Sequence, residues 1–248
     1  MSNDLDSLEE SIQLGQEALQ LCPPGNSYRA STLSSLGTSF FQQCSMTGNH
    51  TSIQRSLQLH QESLDLCPSG NPDHAHFLIA TALSYMLQFE LLDTPASLEF
   101  AIKHLTSAAA HSISSASNLF KQLEPGLAWL HALVLRQEPP LMALFPPFLD
   151  AYQAAIQLLP RVASSDLELH AHLSALNGSE AMGLGASLVV FVMNKTEEAV
   201  ELLEETQSVF WSQALCYFTG STHSIRPRSV SMPINWTSPD QTSPFGHP

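Results

Sequence analysis

Along the first 140 residues, apolar positions recur at helical intervals, and clusters of proline, glycine and asparagine break the pattern. Leu5, Leu8, Ile12, Leu14, Ala18, Leu19 and Leu21 follow one another at steps of two to four, mostly near a period of 3.6. This spacing predicts an amphipathic helix over 5–21, with Asp4 or Asp6 as its cap and Glu9 and Glu10 in the favourable first turn. Pro23-Pro24-Gly25 ends it, since proline cannot continue the backbone ladder and glycine permits a sharp reversal. A second helix follows from about Tyr28 to Gln43 on Ala30, Leu33, Leu36, Phe40 and Phe41. Gly37 inside it marks either the close approach of a neighbouring helix or a weak point. Met46-Thr47-Gly48-Asn49 turns the chain back.

The same phrase then returns. Leu19-Gln20-Leu21-Cys22-Pro23-Pro24-Gly25-Asn26 reappears as Leu64-Asp65-Leu66-Cys67-Pro68-Ser69-Gly70-Asn71, a step of 45 residues. That step also relates Leu14 to Leu59, Glu17 to Glu62 and Ala30 to Ala75. Recurrence at a fixed period in this range marks stacked units, each too small to bury its apolar face alone. The second unit reads as Ile53–Leu66, a loop Pro68–Pro72, and Asp73–Leu92. A third begins at Thr94-Pro95, with proline at the first helical position. Its Leu98, Ala101, Ile102 and Leu105 stand 45 residues after Ile53, Ser56, Leu57 and His60. Its second helix runs from about Ser114 to Arg136 and contains Pro125-Gly126, so one kinked helix and two short ones are both open.

Glu138-Pro139-Pro140 starts a different register. Leu141–Leu159 is helical, with Pro146-Pro147 near its first turn, and Asp166–Leu176 is a shorter helix. Ser179–Met193 is nearly apolar all round, the pattern of a helix buried between neighbours. Thr196–Phe218 sets Glu197, Glu198, Glu201, Glu204 and Glu205 on a wet side, against Val200, Leu203, Phe210, Trp211, Ala214, Leu215 and Phe218. From Gly220 the periodicity stops and Ser, Thr and Pro dominate, so 220–248 reads as a disordered tail. The expectation is an all-α domain over 4–219, with units at about 4–49, 50–93 and 94–136 and less regular helices over 140–219.

Composition narrows the function classes. The 248 residues carry 23 acids against 9 Lys and Arg, a formal charge of −14. So few bases cannot neutralise a phosphate backbone or dock on anionic lipid, which argues against nucleic-acid and membrane-surface partners. The N-terminus is polar and acidic with no signal core, and no window reaches about 18 uninterrupted apolar residues, Met182–Met193 included. An intracellular, cytoplasmic location is the default expectation, and the 4 Cys are then reduced thiols.

No chemical constellation emerges, so neither a catalytic site, a metal site nor a cofactor is expected. Cys22 and Cys67 occupy equivalent repeat positions and read as helix-end residues. His104 with His111, and His170 with His172, have no carboxylates at i+3 or i+4 to complete a metal set. Cys216 lies beside an aromatic face, where burial raises a thiol pKa. Met182-Gly183-Leu184-Gly185-Ala186-Ser187 lacks the third glycine, the lysine and the strand of a phosphate loop, so its glycines point to close helix packing. What remains is binding of a protein or peptide by stacked hairpins. The expected inner face draws on the first helix of each unit, with Gln13, Gln16, Glu17, Gln58, His60, Gln61 and Glu62. Only Arg29 and Arg55 supply cations in the first two units, so a carboxylate-gripping groove is not expected, and a neutral or basic segment suits the acidic surface.

Residues 8–30, Leu-Glu-Glu-Ser-Ile-x-Leu-x-x-Glu-Ala-Leu-x-Leu-Cys-Pro-Pro-Gly-Asn-x-x-Arg-Ala, resemble the long-looped tetratricopeptide repeats of large fungal proteins. The second copy keeps the Pro72-Asp73 of that family's loop. Ala199–Glu204 with Val209-Phe210-Trp211-Ser212-Gln213-Ala214-Leu215 resembles the last helix before the CHAT domain, a caspase-like module, in those proteins. The resemblance spans roughly 4–218 and implies a right-handed superhelix that serves as a non-catalytic interaction or regulatory scaffold. It also implies a possible CHAT-type effector, within the same polypeptide or in trans. Only about thirty residues follow Phe218, with no room for that module, and His223 and Cys216 do not match its contexts. The alternative expectation is therefore a truncated regulatory remnant, or a non-catalytic subunit, of a CHAT-type peptidase system.

Overall fold

Each early helix stops where the sequence supplies a stop, and the stops recur 45 residues apart. The computed structural model describes residues 2–111, 116–136, 142–159, 161, 183–191, 193 and 195–219. Among these residues every regular element is a helix. They are α1 (Ser2–Leu21), α2 (Arg29–Thr47), α3 (His50–Leu66), α4 (His74–Leu92), α5 (Pro95–Ala109) and α6 (Ala116–Leu135). A 3-10 turn, Met142–Leu144, leads into α7 (Phe145–Ile156); residues 183–191 are helical, and α8 is Thr196–Thr219.

The α1–α2 and α3–α4 loops are built alike. The Asn26 side chain accepts from the Tyr28 amide at 2.8 Å, and Asn71 accepts from the Asp73 amide at 2.9 Å. Arg29 Nη1 donates to the Cys22 carbonyl at 2.6 Å, and His74 Nδ1 donates to the Cys67 carbonyl at 2.8 Å. Both bonds satisfy a carbonyl that the helix end leaves unpaired. Gly48 closes α2 at φ 67° and Asp93 closes α4 at φ 50°. This left-handed conformation is free for glycine and tolerated by aspartate.

Contacts between helices repeat in the same register. Ser11 Oγ and Ser39 Oγ lie 3.1 Å apart, as do Ser56 Oγ and Ser84 Oγ at 3.0 Å. Ser52 donates to the Gln43 side chain at 2.6 Å, and Ser97 donates to Gln88 at 2.8 Å. Each of α1 to α6 packs on the next, and α2 also packs directly on α4 and α4 on α6. The third unit departs from the pattern: Ala101 and Trp129 stand where the serine pairs stand, and Trp129 reaches Phe41 edge-on at 6.4 Å. After α6 the alternation breaks, and α7 packs chiefly on α5. One apolar core runs from Leu64 to Leu202, and a smaller cluster joins Leu8, Ile12, Leu33, Leu36 and Leu59.

Several expectations change. α1 begins at Ser2, so Asp4 lies in its first turn and neither Asp4 nor Asp6 caps it. α3 begins at His50, where Asn49 accepts from the Thr51 amide at 3.0 Å. α6 is one helix through Pro125-Gly126. α4 is long and apolar enough, by length and composition, to cross a membrane, although more than half of it is buried here. A count of uninterrupted apolar residues misses it because its scattered polar residues break the run.

Leu14 and Leu21 were assigned to a packing face, but they are 57% and 80% exposed. Residues 183–191 bury one face only: Leu184, Leu188 and Phe191 are exposed, while Gly183 and Gly185 press against Thr206 and Tyr152. On α8, Ala199, Leu202 and Thr206 are buried and Val200 is exposed, because the packing stripe is rotated by one residue from the expected one. Asp166–Leu176, His170, His172, the tail 220–248, and the side chains of Phe210, Trp211, Ala214, Leu215, Cys216 and Phe218 lie outside the described residues.

Candidate interaction surface

A buried imidazole sits at the crossing of α2, α3 and α4. His60 was expected on an open inner face, but it is buried in the space that the missing side chain of Gly37 leaves. Its Nε2 donates to the Ser34 carbonyl at 3.2 Å, which leaves Nδ1 to accept from the Ser84 hydroxyl at 3.0 Å. Burial pushes this imidazole down to about 4, against the smaller upward pull of the Ser34 carbonyl. With both nitrogens occupied and the ring neutral, His60 works as a polar rivet between hairpins. It has no free nitrogen to serve as a proton shuttle.

A second polar pair lies deeper in the chain. His131 Nδ1 is 3.2 Å from the Tyr152 hydroxyl, and Phe148 meets both rings edge-on. Burial lowers the His131 pKa and raises that of Tyr152. His131 Nε2 is buried and meets no hydrogen-bonding partner among the described residues. Burial raises the Cys44 and Cys67 thiols, and the Asp73 carboxylate raises Cys67 further. Cys67 ends α3 at the position equivalent to Cys22. Among the described residues no group of three or more His, Cys, Asp or Glu converges on a point. His104 and His111 stand apart: His104 stacks on Tyr85 at 5.8 Å, and His111 stacks on His74 at 5.8 Å.

The residues expected to form an inner face are placed as follows. Gln13, Gln16, Glu17, Gln58 and Gln61 are exposed and Glu62 is half-buried. Gln13 donates to Glu17 at 3.1 Å, Gln58 to Glu62 at 3.0 Å, and Gln61 to Asp65 at 3.0 Å. These are pairs along one helix, worth about 0.2–0.5 kcal/mol each. Each of these bonds stays within its own helix.

A different row is tied together across helices. Between α4 and α6, His76 Nδ1 meets the Gln122 side chain at 3.1 Å, and Arg136, just past the end of α6, pairs with Glu90 at 3.3 Å. Exposed Ser31, Thr38, Gln42 and Ser45 continue this polar character onto α2. No protein-family model, curated protein or solved structure matches this chain. His76–Gln122 and Glu90–Arg136 each join residues 46 positions apart, so neither leaves a local pattern in the sequence. An open cleft of about 460 Å³ lies between α1 and α2 and reaches Gln42 and Ser45, and another of about 440 Å³ lies between α5 and α7, edged by Glu99, Lys103 and Asp150.

Proposed function

We propose that this chain is a non-catalytic protein-interaction scaffold, a tetratricopeptide-like superhelix whose stacked hairpins hold an extended peptide segment. The observation that carries this reading is the recurrence of the same inter-helix bonds 45 residues apart, Ser11–Ser39 with Ser56–Ser84 and Ser52–Gln43 with Ser97–Gln88. Units joined identically stack into a regular array, and such arrays present a continuous curved surface to partners. The direct packing of α2 on α4 and α4 on α6 supports putting the inner side on those helices. Gln13, Glu17, Gln58, Gln61 and Glu62 then fall on the outer row, contrary to the sequence expectation. With 23 acids against 9 bases, a neutral or basic segment is the favoured ligand.

Selection of displayed random peptides on the full chain tests the reading. Converging neutral or basic sequences are expected, with affinity falling about tenfold or more in Gln42→Lys or His76→Lys and unchanged in Gln58→Lys. Failure of any sequence to converge, or loss of binding only in Gln58→Lys, would overturn it.

A further inference from the structure

The cleft between α5 and α7 is floored by Ile102, Leu144 and Pro147 and rimmed by Glu99, Lys103 and Asp150. Ile102 and Leu144 are buried, whereas Glu99 on α5 and Asp150 on α7 are exposed. Among the described residues neither carboxylate has a hydrogen bond or an ion pair. Lys103, one turn after Glu99, leaves the rim with a negative charge in excess. Such a cleft suits a segment that is apolar on one side and cationic on the other.

The chain itself carries one. Of its 23 acids only Asp240 lies beyond Thr219, while two of its 9 bases stand there, in Ile225-Arg226-Pro227-Arg228. Proline favours an extended conformation in the residue before it, and alternate residues of an extended chain face opposite ways. Ile225 and Pro227 then share one side and the two arginines the other. Reach permits the contact. Gly183 meets Thr206 of α8 and Gly185 meets Tyr152 of α7, so residues 183–191 join these two helices. From Thr206 to its end at Thr219, α8 runs about 20 Å. The nine residues from there to Arg228 span up to about 30 Å, enough to return along α8 to α7.

We propose that Ile225-Arg226-Pro227-Arg228 docks in cis on the α5–α7 cleft, with its apolar side on Ile102, Leu144 and Pro147 and its guanidinium groups on Glu99 and Asp150. The guanidinium–carboxylate bonds orient the segment, and burial of Ile225 and Pro227 adds the apolar drive. Exposed ion pairs are individually weak. Tethering raises the local concentration of the segment to the order of a millimolar, so a weak site is still filled. The cleft shares no lining residue with the α2–α4–α6 row, and the inference does not rest on the peptide surface proposed there.

Trypsin tests this on the full chain, because it cuts after Arg228 but not between Arg226 and Pro227. Release of residues 229–248 in a short pulse is followed by mass spectrometry and compared with cleavage of a free peptide of residues 220–240. Release from the full chain should be at least about fivefold slower than cleavage of the peptide. Glu99→Gln with Asp150→Asn should restore the peptide rate, and so should salt at about 1 M on the parent chain. Glu197→Gln with Glu201→Gln on α8 should leave the protection in place. All four residues are exposed, and helical content checks each variant's fold. Release from the parent chain at the peptide rate overturns the proposal. So does protection that survives both the Glu99 and Asp150 changes and high salt, or that is lost equally in the α8 variant. Protection that grows with protein concentration would put the segment of a second copy in the cleft and overturns docking in cis. None of these outcomes touches the peptide-selection result for the α2–α4–α6 surface.

Discussion

His60 fills the volume that a side chain on Gly37 would need, so each residue fixes what the other can be. Gly37→Ala should destabilise the chain by about 1–3 kcal/mol through overpacking, despite the roughly 1 kcal/mol that alanine gains over glycine within a helix. In a His60→Ala background the same change should be neutral or stabilising. Urea melts of the four chains give the coupling directly. Additive effects would contradict the contact.

Acid should weaken the same junction. The folded His60 is held at about 4 against an ordinary 6.5. The unfolded chain therefore takes up the proton first. The contribution is complete above about pH 6.5, declines as the pH falls, and is lost below about pH 4. The loss is about 3 kcal/mol. Burial also lowers His104 and His131, which act in the same direction. Stability measured from pH 7 to pH 4 should fall less steeply in His60→Gln than in the parent chain; equal slopes would remove His60 from the account.

Register equivalents at the end and in the middle of the stack should differ in energy. Leu59→Ala is expected to cost about 2–5 kcal/mol, because it opens a cavity between α1, α2 and α3. Leu14→Ala should change stability by no more than about 0.5 kcal/mol, as at other exposed positions. Paired denaturant curves decide the point, and equal losses would mean that Leu14 is covered.

Thiol labelling should follow burial. Cys22 is half-exposed, whereas Cys44 and Cys67 are buried with raised pKa values. Of these three, Cys22 should react first in native buffer, and Cys44 and Cys67 only as the fold opens. Peptide mapping after a short pulse measures the order.

Much of the fold was legible because its joints are local. Pro23-Pro24-Gly25, Asn26 and Asn71, and Thr94-Pro95 act within a few residues, so the loops and most helix ends could be read directly. The burial of His60 was not legible, since it depends on a glycine 23 positions earlier in a helix whose facing side only the packed structure shows. The exposure of Leu14 beside the burial of Leu59 depends on which helices pack on each, and periodicity treats all units alike. The cross-helix bonds were not legible for a similar reason. Gln58 and Glu62 pair along one helix, whereas His76–Gln122 and Glu90–Arg136 are joined over 46 residues and leave no local pattern.

Hydrogen exchange on the full chain, with and without a selected peptide, tests the scaffold most directly. Protection is expected on α2 and α4 at positions 45 residues apart and extending onto α6, with α1 and α3 unaffected. Protection confined to α1 and α3, or to one unit alone, would contradict a peptide surface built from repeating hairpins.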